Sequence, residues 1–133
     1  SQVKPETDSG ETEKIMLEMN RITISGYVFQ KKDDTTPAIK VKSTNEKEEP
    51  SMVTFDLYQS VFTGKQGEKK GYFFHCMGLG SVAQRLVKAA KARCHITIDG
   101  KLQVRTNQTG DKKFVNTNII VDDFSVAPAT TNA

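Results

Sequence analysis

Residues 72–99 read YFFHCMGLGSVAQRLVKAAKARCHITID, and the fold turns on how they are read. The dense apolar run of residues 72–77 ends in Gly78-Leu79-Gly80-Ser81. Val82, Leu86 and Ala90 then recur at helical spacing, joined on one stripe by Ala83 and Val87, so residues 82–92 predict an amphipathic helix. Next, Cys94, Ile96 and Ile98 alternate with His95, Thr97 and Asp99, the period-two signal of a half-buried strand. Strand, glycine turn, helix and strand in that order fit two incompatible folds. One contains a nucleotide-binding turn, and the other is a small β-barrel whose mouth is plugged by a helix.

The nucleotide reading has specific support. Gly78-Leu79-Gly80-Ser81-Val82-Ala83 fits G-x-G-x-x-A, and Asp99 stands near the end of the next strand. In a dinucleotide fingerprint such glycines let backbone N–H groups approach a pyrophosphate at a helix N-terminus. Three observations oppose it. The pattern is short and recurs by chance, the flanks hold strands without a second crossover helix, and 133 residues are too few for a doubly wound sheet plus a catalytic domain. In the barrel reading the glycines end a strand and let a helix turn back over the mouth. Ser81 is then the expected N-cap, and Lys88, Lys91 and Arg93 favour the C-terminal end of the dipole.

The neighbouring segments decide between the two. Residues 20–29 alternate Ile22, Ile24 and Val28 with Arg21, Thr23 and Ser25, interrupted by Gly26, where a bulge or tight bend is expected. Residues 30–50 are mostly polar loop, with a short strand at 38–41. In residues 52–62, Val53, Phe55 and Leu57 face one way, and Thr54, Asp56 and Tyr58 the other. A glycine-punctuated turn at 63–71 leads to the strand at 72–77. After Gly100 the apolar face continues through Leu102 and Val104, residues 107–111 form a hairpin turn, and the last strand is 113–121. Residues 1–18 are polar and expected to be disordered, 19–127 form one domain, and 128–133 a flexible tail. The expected architecture is all-β: a five-stranded, closed antiparallel OB-fold barrel with one capping α-helix between strands 3 and 4.

Composition narrows the function. The net charge is +3, and residues 1–18 carry five acids against two lysines, so the remainder is more basic than the whole. A basic body suits a polyanionic partner. No apolar run approaches the roughly 20 residues of a membrane span. Cys76 and Cys94 each fall in an expected strand, outside any C-x-x-C pair, and read as buried, reduced thiols, with a single strand-bridging disulfide as the alternative. His75-Cys76 and Cys94-His95 tempt a zinc reading, but adjacent strand residues point to opposite faces, so the four side chains cannot converge on one ion. No paired carboxylates or nucleophile–base set stand out. The expectation is a non-enzyme without cofactor, metal or small-molecule substrate.

The remaining signal is basic and aromatic. Single strands are held by a cationic groove along their phosphates and by aromatic faces on which bases stack. The candidates are Tyr58, Phe62, Phe73 and Phe114, with Arg21, Lys69, Lys70, Lys101, Arg105 and Lys112 around them. A strand phenylalanine is more often core than platform. For residues 72–79 two facings stay open at this point: Phe73, His75, Met77 and Leu79 toward a groove, or Tyr72, Phe74 and Cys76.

The ordered set MNRITISG (19–26), FFHCMGLG (73–80) into SVAQRL (81–86), ITIDGKLQVR (96–105) and IIVD (119–122) resembles the bacterial and mitochondrial single-stranded-DNA-binding protein family. The resemblance spans about residues 19–126. It implies an OB fold, oligomeric assembly, single-stranded DNA or RNA as partner, and an intracellular setting in the bacterial cytoplasm and nucleoid or the mitochondrial matrix. By position, Phe62 and Phe73 fall where that family often has stacking tryptophans, Leu79 where it has a phenylalanine, and Asn107 near another aromatic. Stacking is worth about 1–3 kcal/mol per base, so two non-aromatic platforms imply weaker binding than the family's. The acidic, Phe-ended tip of that family has no counterpart in residues 127–133. The departures fit a second expectation, since OB-fold proteins of kinetoplastid RNA-editing complexes resemble this family too. Those use the domain as an assembly module that also touches RNA, and would put Phe73, His75, Met77 and Leu79 against another OB domain, in a hetero-oligomer.

Overall fold

The computed structural model describes residues 18–32 and 35–128. Apart from Glu18 and Pro128, the expected N-terminal disorder and the expected tail lie outside the described residues. In chain order the elements are β1 (Ile22–Val28), β2 (Lys40–Thr44), β3 (Pro50–Phe62), β4 (Lys69–Leu79), α1 (Ser81–Ala89), β5 (His95–Thr109) and β6 (Lys112–Val126). The pairing order runs β1-β5-β6-β4-β3, and β3 returns to β1 at Tyr27↔Tyr58 and Val28↔Leu57, closing a five-stranded barrel. β2 lies outside that ring, paired with the first residues of β3. The helix therefore falls between the third and fourth barrel strands, as expected.

One pairing corrects the all-antiparallel expectation. β5 begins at the end of the barrel where β4 finishes, and β6 folds back along it. β6 therefore runs beside β4 in parallel, at Cys76↔Ile119 and Met77↔Ile120. The strands are also longer than their apolar patterns. β4 starts at Lys69, β5 and β6 leave only Gly110 and Asp111 between them, and β6 runs on to Val126 against Ile96. Backbone ladders carry these polar extensions, and hydrophobic periodicity does not report them.

The core is filled from alternate positions. Val28, Val53, Phe55, Leu57, Cys76, Ile96, Ile98, Ile119 and Val121 point inward, and Ala83, Leu86 and Ala90 of the helix side close the end. Gly78 lets α1 sit directly on β4, since a Cβ there would lie 2.5 Å from the Leu86 Cδ1 atom. The helix ends at Ala89 with Ala90 as its extended C-cap, earlier than the expected residue 92, and Val87 on the expected apolar stripe is partly exposed. Ser81 is not the N-cap. The chain turns through Gly80 at φ 58°, which occupies the cap position without a side-chain hydrogen bond, so Ser81 is already helical. Burial pushes the Cys76 thiol up to about 12, with nearby Asp56 adding to it, so it stays protonated at neutral pH. Cys94 is only half-buried, where full burial was expected, because it lies just before β5; both cysteines are free.

The β4–β6 ladder covers two residue pairs only. Beyond it β3–β4 continues to Phe62↔Lys69 and β5–β6 to Thr109↔Lys112. Two ribbons thus part from the barrel and flank a groove.

Candidate nucleic-acid interface

Cross-strand partners share a face of the sheet, so register assigns the groove-facing side chains. Phe55↔Cys76 and Leu57↔Phe74 face the core, while Asp56↔His75 and Tyr58↔Phe73 face out. The open question of strand 72–79 is thereby answered: Phe73, His75 and Leu79 are exposed on the outer face. Met77 shares that face but is covered, packed between Thr54 on β3 and Ile120 on β6, all nearly buried. Tyr72 is exposed on the opposite parity, because β4 has left the barrel by that point.

Phe73 is the centre of an aromatic cluster. Its ring centroid lies 4.9 Å from Phe29, edge to face, and 5.1 Å from Tyr58. Edge-to-face pairs of this kind add roughly 0.5–1.5 kcal/mol beyond area burial. They hold Phe73 in place while 56% of its surface stays exposed. Tyr58 is half-buried because its ring lies over Gly71, where a Cβ would come within 2.6 Å of it. Phe29, which ends the first strand in the sequence reading, belongs to the site as well. A strand-end phenylalanine carries no signal that separates platform from core. Further out, Phe62 is 71% exposed with the Lys69 Nζ 5.2 Å from its ring centroid.

His75 divides the groove. Its Nδ1–H donates to the Asp56 Oδ1 at 3.0 Å. On one side a hollow of about 240 Å³ is walled by Phe29, Lys31, Lys40, Thr54 and Asp56. The Gln30 side-chain amide, donating to the Thr36 carbonyl, ties together the loop that rims it. On the other side a hollow of about 460 Å³ is lined by Arg105, Asn107, Asn116, Thr117 and Asn118. Lys31 and Lys40 were not among the sequence candidates, since nothing in a polar loop or a short polar strand marks which lysines a fold turns toward a groove.

The other candidates distribute unevenly. Lys101 pairs with Ile120, Arg105 with Asn116, Phe114 with Asn107 and Lys112 with Thr109, all on the face continuous with Met77. Lys70 pairs with Val61 on the opposite face of its ribbon. Arg21 is held by Asp99, with its Nε and Nη2 donating at 3.1 and 3.0 Å. That pair holds the Asp99 carboxyl below the usual range, and Arg85 with the Phe124 backbone N–H does the same for Asp123. Arg21 and Arg85 are thus engaged with carboxylates. His75 and Cys76 face opposite sides of β4, and His95 packs edge-on against Tyr27, so the zinc grouping does not assemble. Among the described residues no three His, Cys, Asp or Glu side chains are placed to hold a metal ion.

No family model and no curated protein matches the sequence. Solved structures match the fold. A Plasmodium falciparum single-stranded-DNA-binding protein, determined in complex with single-stranded DNA, superposes with a TM-score of 0.65 at 16% identity, covering 86% of this chain and 99% of that one. A small single-stranded-DNA-binding protein from Streptomyces coelicolor gives 0.59 at 18% identity, covering 84% and 96%. The barrel shares its fold with these two proteins, and the likeness spans nearly their whole length.

Proposed function

We propose that this protein binds single-stranded nucleic acid, DNA in preference to RNA, without catalysing a reaction on it. The observation that carries the reading is the braced cluster of Phe29, Tyr58 and Phe73 on the outer face of such a barrel. Bases stack on these rings while Lys31 and Lys40 beside them and Lys69, Lys101 and Lys112 on the two ribbons take phosphates. DNA is favoured because both matched proteins are named for it. An intracellular setting goes with the reading, in keeping with two free thiols.

Fluorescence anisotropy with a labelled oligothymidylate tests it. If about three or four phosphates are neutralised, log K falls against log salt with a slope of roughly −2 to −3. No binding at low salt, or affinity indifferent to salt, rejects the reading.

Self-association belongs to the same proposal. Leu102, Val104 and Val115 line the ribbon face opposite the groove, with Val104 61% and Val115 65% exposed. A two-stranded ribbon is marginal alone, and this uncharged stripe suits a second copy. Sedimentation velocity is expected to show an oligomer that Val104→Lys dissociates. A monomer in the unaltered protein removes this part of the proposal and leaves the rest.

A further inference from the structure

The hollow between His75 and the β5–β6 ribbon differs in chemistry from the aromatic half of the groove. Asn107, Asn116 and Asn118 line it, together with Arg105 and Thr117. Most other carboxamides in the described fold are occupied. Asn20 bonds both backbone groups of Leu102, Asn45 closes its own loop, Gln59 donates to the Ser25 carbonyl, and Gln103 accepts from the Arg105 Nε. Asn107, Asn116 and Asn118 make no side-chain hydrogen bond to any described residue. Asparagine is disfavoured in strands, yet two stand at alternate positions on one face of β6, opposite Arg105 and Gln103. Packing and ladder formation do not account for that choice.

We infer that this hollow is a base-reading subsite that prefers guanine. The inference rests on the proposed binding of single strands. The Arg105 guanidinium spends its Nε on Gln103 at 3.2 Å, which fixes the plane and leaves its terminal nitrogens for an acceptor pair. Guanine O6 and N7 are such a pair, and arginine is their commonest partner. Guanine also carries N1–H and N2–H donors, which the carboxamide oxygens of Asn116 and Asn118 can accept. Thymine and adenine offer fewer donors and no paired acceptors. Unstacked bases of a single strand expose all these edges, unlike those of a duplex. The strand is therefore gripped on Phe29, Tyr58 and Phe73 without regard to base, and read where it crosses toward Arg105.

The test compares a labelled oligothymidylate with the same oligonucleotide carrying one central dG or one central dA. The expected result is that dG tightens binding by roughly tenfold, within the range for one bidentate contact, and dA does not. In Asn116→Thr and Arg105→Lys the ratio of dG to dT affinity falls toward one. Threonine favours strands and lysine keeps the charge, so neither outcome reduces to misfolding or lost phosphate attraction. If all three oligonucleotides bind alike, the base-reading subsite is rejected and general binding stands. If none binds, both fall together.

Discussion

Phe73→Ala lowers affinity for an oligothymidylate by on the order of 10- to 100-fold, the largest loss expected from a single change in the groove. Phe73 touches both other rings of the cluster, at 4.9 Å to Phe29 and 5.1 Å to Tyr58. Truncation removes one platform and unbraces two more. Phe62→Ala is expected to cost less. Its ring stands at the ribbon tip with the Lys69 ammonium over it, so ordering a base on it gives back more entropy. Anisotropy titrations measure both, and thermal melts confirm that Phe73→Ala stays folded, as its exposure leads one to expect. A Phe73→Ala protein that binds the oligonucleotide normally but loses a protein partner or its own assembly would make this face an assembly surface.

Leu86→Ala destabilises the fold by about 2–5 kcal/mol, the range for emptying a fully buried leucine site. For a domain of this size that lowers Tm by on the order of 10 °C or more. Leu86 is completely buried and presses on Gly78, where an added methyl would lie 2.5 Å from its Cδ1 and 3.3 Å from Val53 Cγ2. This contact makes a sharper expectation. Gly78→Ala alone destabilises, because the helix is pushed off β4. In the Leu86→Ala background the same methyl occupies vacated space, so its cost shrinks or changes sign. Urea unfolding of the four proteins gives the coupling. Additive effects would mean that α1 does not seat on Gly78.

The glycines that first offered a phosphate-binding turn are thereby assigned. Gly78 provides contact space for Leu86, and Gly80 turns the chain into the helix. A glycine-rich strand-to-helix turn is needed in both folds, so its local pattern could not choose between them. The alternation of residues 22–28 and 52–58, with one helix among the described residues, made the choice. Element order and core membership were legible because burial imposes a strict period of two on barrel strands. The ribbon extensions were not legible, because their residues are polar on one face and exposed on both.

The site divides along the same line. Sequence alone determined that a small barrel would carry aromatic and basic residues on its strands, since residue chemistry and periodicity are local properties. Tertiary structure decided which of them work together. It placed Phe29 against Phe73, covered Met77 with Thr54 and Ile120, and held Arg21 on Asp99. It also brought His75 beside Asn116 and Asn118 across the β4–β6 junction. These meetings depend on register between segments some twenty to eighty residues apart. Register is set by closing the whole barrel, and no short stretch of the chain records it.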